Sequence, residues 1–260
     1  MSYETVTLDE AAPGVRVVTL SRPDAANSLN TAMGRELLAL WRELAADPSV
    51  RVAVLTGVGR LFCAGADLKE RNGMTDAAWG EQHRLFEDMI RAQLACPFPI
   101  IAAVNGAAMG GGAEMALACD FAWAADSAKL GLPEVGLGII PGLGGTQFVT
   151  RAVGERRAAE LLMSGLPIDA AQALDWGLVN RVVPAAELLD QVLERAKLIA
   201  AKAPLSVKAL KAVVRGGAAL PLDQAMELEL SEYNRLFTTA DRREGVAAFN
   251  EKRTATFQGR

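Results

Sequence analysis

Residues 100–120 constrain the fold more than any other stretch of the chain. They open with the apolar run Ile100-Ile101-Ala102-Ala103-Val104, which predicts a buried strand. Asn105-Gly106-Ala107-Ala108-Met109 leads into three consecutive glycines, Gly110-Gly111-Gly112, and then into 113–118, a run of good helix formers. Glycines let a chain turn sharply and let another backbone or a ligand approach closely. A helix opening there directs unpaired N–H groups, and the positive end of its dipole, into the turn. Glu114 lies at the start of that helix. An acid beside such donors suits chemistry in which negative charge builds on an oxygen while a proton moves. Taken alone, the stretch reads equally as a tight strand–helix connection carrying a solvated glutamate.

The flanking sequence predicts an α/β fold. Residues 6–8 and 15–20 read as a hairpin turning at Ala12-Pro13-Gly14. A polar loop then enters a helix over 31–46, where Met33, Leu37, Leu38, Leu40, Trp41 and Leu44 form an apolar stripe. Asp47-Pro48 ends it before a β-branched strand over 50–55. Strand–helix–strand alternation implies crossover units and a largely parallel sheet. Residues 60–71 read as an apolar stub, a turn of small residues and a helix start that Asp67 caps. A helix over 75–94 stops at Cys96-Pro97-Phe98-Pro99. Beyond Asp120, residues 121–124 predict a strand and 129–134 an extended segment. The glycines of 135–147 miss the dinucleotide fingerprint, because Gly142 falls one residue late after Gly136-x-Gly138 and no clear strand precedes them.

The rest is predicted mostly helical, over 147–153, 156–163, 169–176, 187–201, 205–214, 222–237 and 241–252. The Ala203-Pro204 break and the loss of strand signals after Val183 divide the chain near residue 200. Residues 1–200 are expected to form the core with the active site, and 201–260 a helical region. In that region Met226, Leu228, Leu230, Leu236 and Phe237 give an apolar face that needs a partner surface, either the chain's own body or another subunit.

Composition narrows the function classes. With 260 residues, 51% of them hydrophobic, the chain can bury one large core and an appended region. A net charge of -4 gives no electrostatic case for general nucleic-acid binding. Cys63, Cys96 and Cys119 have neither CxxC nor metal spacing, and an odd count argues against a disulfide framework. His83, the lone histidine, sits among Glu81, Gln82 and Arg84 and reads as solvated, so no metal site is expected. Met1-Ser2-Tyr3-Glu4 shows no leader pattern, and no run reaches about 18 apolar residues, so neither secretion nor a membrane span is expected. The expectation is a soluble cytoplasmic protein.

Several segments together resemble the enoyl-CoA hydratase (crotonase) family along nearly the whole chain. They are Arg22-Pro23 with Asn27 and Leu29; Phe62-Cys63-Ala64-Gly65-Ala66-Asp67-Leu68-Lys69-Glu70; and Asn105-Gly106 with Gly110-Gly111-Gly112-Ala113-Glu114. The likeness continues through Leu132-Pro133-Glu134 and Ile140-Pro141-Gly142-Leu143-Gly144-Gly145-Thr146-Gln147, and ends with Asp241-Arg242-Arg243-Glu244-Gly245 and Phe249-Asn250-Glu251-Lys252-Arg253. It implies a crotonase-type spiral of β-β-α units with a C-terminal helical trimerisation region, assembled as a homotrimer or a hexamer made of two trimers. It also implies an acyl-CoA thioester substrate, with coenzyme A as part of that substrate and no separate cofactor.

The resemblance assigns an oxyanion hole to the backbone N–H groups of Ala66 and Gly111. It assigns activation of water to Glu114 and donation of the α-proton to Glu134. Ala25, Ala64, Asp67, Leu68 and Lys69 lie where the family holds adenosine and pantetheine, and Phe249 with Lys252 where a neighbouring subunit's CoA is reached. Asp24 departs from the pattern, standing at a place often basic in the family. Lys69 and Arg71 read equally as a solvated helix face. The implied activity is hydration of a short-chain 2-enoyl-CoA. Residues 62–71, Met74, Leu117-Ala118-Cys119-Asp120 and Glu251-Lys252-Arg253 also resemble the methylglutaconyl-CoA hydratase branch of leucine breakdown. That branch needs a cation or amide for a second carboxylate, and the sequence does not point to one. An isomerase with one idle glutamate, and a non-catalytic acyl-CoA- or RNA-binding protein, are the other readings.

Overall fold

The computed structural model describes residues 3–260; Met1 and Ser2, part of the stretch read for a leader, lie outside it. The chain opens with β1 (Val6–Ala12) and β2 (Val15–Leu20), an antiparallel hairpin turning at Pro13-Gly14. Next, α1 (Thr31–Ala46) is capped by Asn30, whose side chain accepts from Met33 N. Its stripe of Met33, Leu37, Leu40, Trp41 and Leu44 is buried. Then come β3 (Val52–Gly57), the short α2 (Leu68–Arg71), α3 (Asp76–Ala95) and β4 (Ile100–Val104). After β5 (Ala108–Met109) and α4 (Gly111–Ala118) follow β6 (Phe121–Ala125), β7 (Lys129–Gly131), α5 (Gly145–Val153) and α6 (Glu155–Ser164). The chain closes with β8 (Ile168–Asp169), α7 (Ala170–Trp176), β9 (Arg181–Val183), α8 (Leu188–Ala200), α9 (Pro204–Gly217), α10 (Leu222–Leu236) and α11 (Ala240–Asn250).

The main sheet runs β1-β2-β3-β4-β6-β9 and is parallel from β2 onward. Every residue of β3 and β4 is buried, as expected of parallel strands covered on both faces. α1 and α3 pack on each other, and α8 lies on β3, β4 and β6. A smaller sheet, β5-β7-β8, stands apart. Its two-residue strands β5 and β8 are too short to leave a periodic signal, and the sequence reading missed both.

Two expectations change. The extended segment read over 129–134 ends at Gly131, and Pro133–Leu137 is a 3-10 turn, so Glu134 sits on that turn. Pro133 presets the backbone for the turn and Gly138, at φ +73, ends it. On α10 the single apolar face becomes two. Leu228 and Leu236 are half-buried on the side where α10 meets α9, whereas Leu222, Met226, Leu230, Tyr233 and Phe237 are exposed. A helix apolar on two sides can cover its own neighbour and still present a stripe outward.

Candidate active site

The site forms where two backbone segments approach closely. At the end of β4, the Asn105 side chain accepts from Gly57 N (3.2 Å) and donates to Gly59 O (3.0 Å), aligning the ends of β3 and β4. Beyond it, Met109 N donates to Cys63 O (2.9 Å) and Cys63 N to Ala107 O (3.1 Å), so residues 62–66 run beside β5 and the start of α4. Glycine is required for this approach at two points. A Cβ on Gly112 would strike the carbonyl oxygen of Cys63, and Gly65 has φ +95 with Met109 O only 2.9 Å from where its Cβ would stand.

This packing brings the N–H groups of Ala66 and Gly111 to one cavity of about 890 Å³. Neither donates to a backbone or side-chain acceptor among the described residues. Gly111 opens α4, so its N–H has no partner within the helix and lies at the positive end of the dipole. Both donors are held by backbone alone and lose no rotamer freedom when a ligand arrives.

Two carboxyl groups line the same cavity. Glu114, 2% exposed, uses Oε1 to accept from Leu143 N (2.7 Å) and Gly145 N (2.8 Å). Burial pushes its carboxyl up to about 7, against the pull of those two N–H groups, and the charge of Glu134 pushes the same way. Glu134, 8% exposed, is also raised by burial, and its Oε2 is buried without a hydrogen-bond partner among the described residues. The two acids therefore share one cavity, each buried, with no cation paired to either among the described residues.

Of the residues singled out in the sequence, Ala64, Ala66, Leu68, Gly111, Glu114 and Glu134 line this cavity. Asp67 stands behind the wall. Its carboxylate caps α2 through Lys69 N and Glu70 N and pairs with Arg22 (2.9 Å), while its N–H donates to Leu29 O. Ala25 and Lys69 lie outside the cavity lining, as do Phe249, 84% exposed on α11, and Lys252 just beyond that helix. His83, read from the sequence as solvated, is partly exposed and also stands at this cavity. It pairs with Glu87 (3.1 Å) and faces Gly142 so closely that a Cβ there would strike its ring.

The sequence reading missed Trp79 and Phe86 as wall residues, and Arg71, which it read equally as a solvated helix face, joins them there. Trp79, His83 and Phe86 stand four and three residues apart on α3, spacing that puts them on one helix face. That periodicity could have revealed them. No group of His, Cys, Asp or Glu among the described residues has the arrangement to hold a metal ion. No helix among them is long and apolar enough to cross a membrane.

Comparison with known proteins gives the family. Residues 10–260 match the family described as enoyl-CoA hydratase/isomerase. The chain is 40% identical over 258 residues to a crotonyl-CoA hydratase of Syntrophomonas wolfei subsp. wolfei, covering 99% of each protein. It is 40% identical over 256 residues to an enoyl-CoA isomerase/hydratase of Mycosarcoma maydis, covering 95% of this chain and 93% of that one. A crystal structure of an enoyl-CoA hydratase from Bacillus anthracis, 41% identical, superposes with a TM-score of 0.97 over 99% of this chain and 100% of its own. With a spiral core, C-terminal helices and a match over nearly its whole length, this chain belongs to the enoyl-CoA hydratase/isomerase family.

Proposed function

We propose that the chain is an enoyl-CoA hydratase that adds water across the 2,3 double bond of a short-chain 2-enoyl-CoA thioester. One observation carries this reading: two buried carboxyl groups with raised pKa share a cavity with two unpartnered backbone N–H groups. The thioester oxygen accepts from Ala66 N and Gly111 N. As a water oxygen bonds to Cβ, the double-bond electrons move toward that carbonyl oxygen and an enolate forms. Each donor of this kind is worth roughly 3–4 kcal/mol of barrier.

Glu114 takes the proton released by the water. Its Oε1 is fixed by Leu143 N and Gly145 N, which favours the carboxylate, while Oε2 makes no hydrogen bond among the described residues and is left for the water. A carboxyl near 7 both accepts and returns a proton at neutral pH, as a base used in every cycle must. Glu134, whose carboxyl is raised by burial, is the group assigned to deliver a proton to Cα as the enolate collapses. Water is consumed, and the proton gained by Glu114 equals that lost by Glu134, so one transfer between them resets the site. An isomerase needs one such group for its proton shuttle; two carboxyls in one cavity favour hydration.

The same reading gives the exposed stripe of Leu222, Met226, Leu230, Tyr233 and Phe237 a role in packing against further copies as a homotrimer or hexamer. The deciding experiment is a spectrophotometric assay of the purified protein on crotonyl-CoA, following loss of the conjugated enoyl-thioester absorbance. Steady loss with formation of 3-hydroxybutyryl-CoA is expected. Double-bond migration in a 3-enoyl-CoA without any hydration of crotonyl-CoA would transfer the assignment to an isomerase.

A further inference from the structure

The peptide group that presents Ala66 N–H to the cavity is held from its other side. Leu29 N donates to Gly65 O (2.8 Å) and Asp67 N to Leu29 O (2.9 Å), so Leu29 and Ala66 pair as a single parallel bridge outside both sheets. In a planar trans peptide the carbonyl and the N–H point in opposite directions. Fixing Gly65 O on Leu29 therefore aims Ala66 N–H away from that bond, toward the cavity that Ala66 lines. The other donor has a helix behind it. Gly110 O, the carbonyl of the peptide that presents Gly111 N–H, accepts from Glu114 N (2.9 Å) within α4. Ala66 lies in no helix, and a side chain takes that supporting place.

The side chain is that of Arg22. Its Nη1 donates to Ser28 O (2.6 Å) and to Asp67 Oδ2 (2.9 Å), with Ser28 Oγ at 3.2 Å. A continuous line results, from the guanidinium to Ser28 C=O, from Leu29 N–H to Gly65 C=O, and from Ala66 N–H into the cavity. Arg22 is anchored at its own backbone. Its N–H donates to Asn27 Oδ1 (2.9 Å) and its carbonyl accepts from Asn27 N (2.9 Å). Asn27 is buried, and its Nδ2 donates to Val58 O (2.9 Å) and Leu61 O (2.8 Å), which ties the turn to the segment after β3. Ser28 and Leu29 are buried, and the Arg22 side chain is 21% exposed, so the charge is only partly screened by water. Hydrogen bonds in such a chain polarise one another. A cation at the accepting end makes each N–H along the line a stronger donor, the last being that of Ala66.

We infer that Arg22 is a positioning residue for the Ala66 donor. Through the Ser28–Leu29 and Gly65–Ala66 peptide groups it aims and strengthens the N–H that meets a thioester oxygen. This rests on the reading of Ala66 and Gly111 as the donors to that oxygen. Asp67 closes the line by fastening the residue after the donor to the same guanidinium nitrogen.

The test follows the carbonyl itself, by difference infrared spectra of butyryl-CoA bound to the full chain. This saturated thioester is unreactive, and it is isotope-labelled at the thioester carbonyl. Hydrogen bonding to a carbonyl lowers its stretching frequency, so the wild type should shift the band below that of free ligand. Arg22→Met should lose much of that shift. It should also lower kcat on crotonyl-CoA about tenfold, part of what a whole donor supplies, with KM within about twofold. Arg22→Lys, which keeps the charge and donors, should restore most of both. If Arg22→Met does not fold, Arg22→Gln, with a donor and no charge, takes its place and should put the band between wild type and free ligand. A wild-type band in folded Arg22→Met or Arg22→Gln would overturn the inference. So would a raised KM with kcat and the band unchanged, which marks a contact with CoA. A wild type that leaves the band at the free position would sink the reading of the two donors and this inference with it. A shifted band without hydration of crotonyl-CoA would sink only the hydratase reading, and the band still judges the Arg22 variants.

Discussion

Glu114 and Asp120 stand at opposite ends of α4, and the protein treats them in opposite ways. Asp120, just past the C-terminal end, is fully matched. Its Oδ2 accepts from Lys211 Nζ (2.9 Å) and Ile100 N (2.7 Å), and its Oδ1 from Arg215 Nε (2.8 Å). The two cations come from α9 and also hold main-chain carbonyls, Lys211 that of Phe98 before β4 and Arg215 that of Ala118 in the last turn of α4. Cations there complement the negative end of the helix dipole. Glu114, in the first turn, has only two backbone N–H groups and no cation among the described residues. The dipole favours its charge, yet burial outweighs that and its pKa rises. A carboxylate matched by cations fastens one part of a protein to another; one deprived of them keeps its proton mobile.

Removing the acids should break this contrast most sharply in activity. Glu114→Gln or Glu134→Gln should lower kcat on crotonyl-CoA by about 10³-fold, the scale of a lost general acid or base, with folding intact by circular dichroism. Wild-type turnover in either variant would show that the pair is not the proton-transferring machinery. Asp120→Ala should act on stability instead. It leaves Lys211, 8% exposed at its side chain, and Arg215 without their anion, a loss of roughly 3 kcal/mol in urea unfolding. An unchanged unfolding midpoint would mean that α9 is held on the core by other contacts.

The smallest effect is in pH dependence, and it runs in a definite direction. Below the ordinary 4.5, Glu114 is protonated whether the chain is folded or not. Between there and about 7 the unfolded chain releases this proton first, so Glu114 costs the folded state progressively more stability as pH rises. Glu114→Gln lacks that cost. Its stability relative to wild type should improve by on the order of 2 kcal/mol between about pH 4 and about pH 8, read as a widening difference in Tm. A pH-independent difference would show that burial does not govern this carboxyl.

Much of the molecule was legible before its structure. The stripe on α1, the apolar run of β4, the cap at Asp67 and the proline breaks are local patterns, and each gave an element within a few residues of where it lies. The strand–glycine–helix transition at residues 104–114 was equally plain, and so was the family to which the motifs belong. The motifs also pointed to Glu114, Glu134, Ala66 and Gly111, which the structure brings to one cavity. Less local features stayed hidden. β5 and β8 exist only because each finds β7, and the 3-10 turn under Glu134 interrupts a segment that reads as extended.

What the sequence by itself determined is the succession of helices and strands, the apolar faces and the chemical identity of the candidate site groups, since these follow from side-chain periodicity and residue type. Only the tertiary structure decided their electrical state. Whether Glu114 is solvated or sealed depends on Leu143 and Gly145, 29 and 31 residues away, and whether Arg71 is a surface charge or a cavity wall depends on Trp79 and Gln82. Burial and partnership belong to the space between elements, and a carboxyl or guanidinium takes its energy from that space more than from its neighbours in the chain.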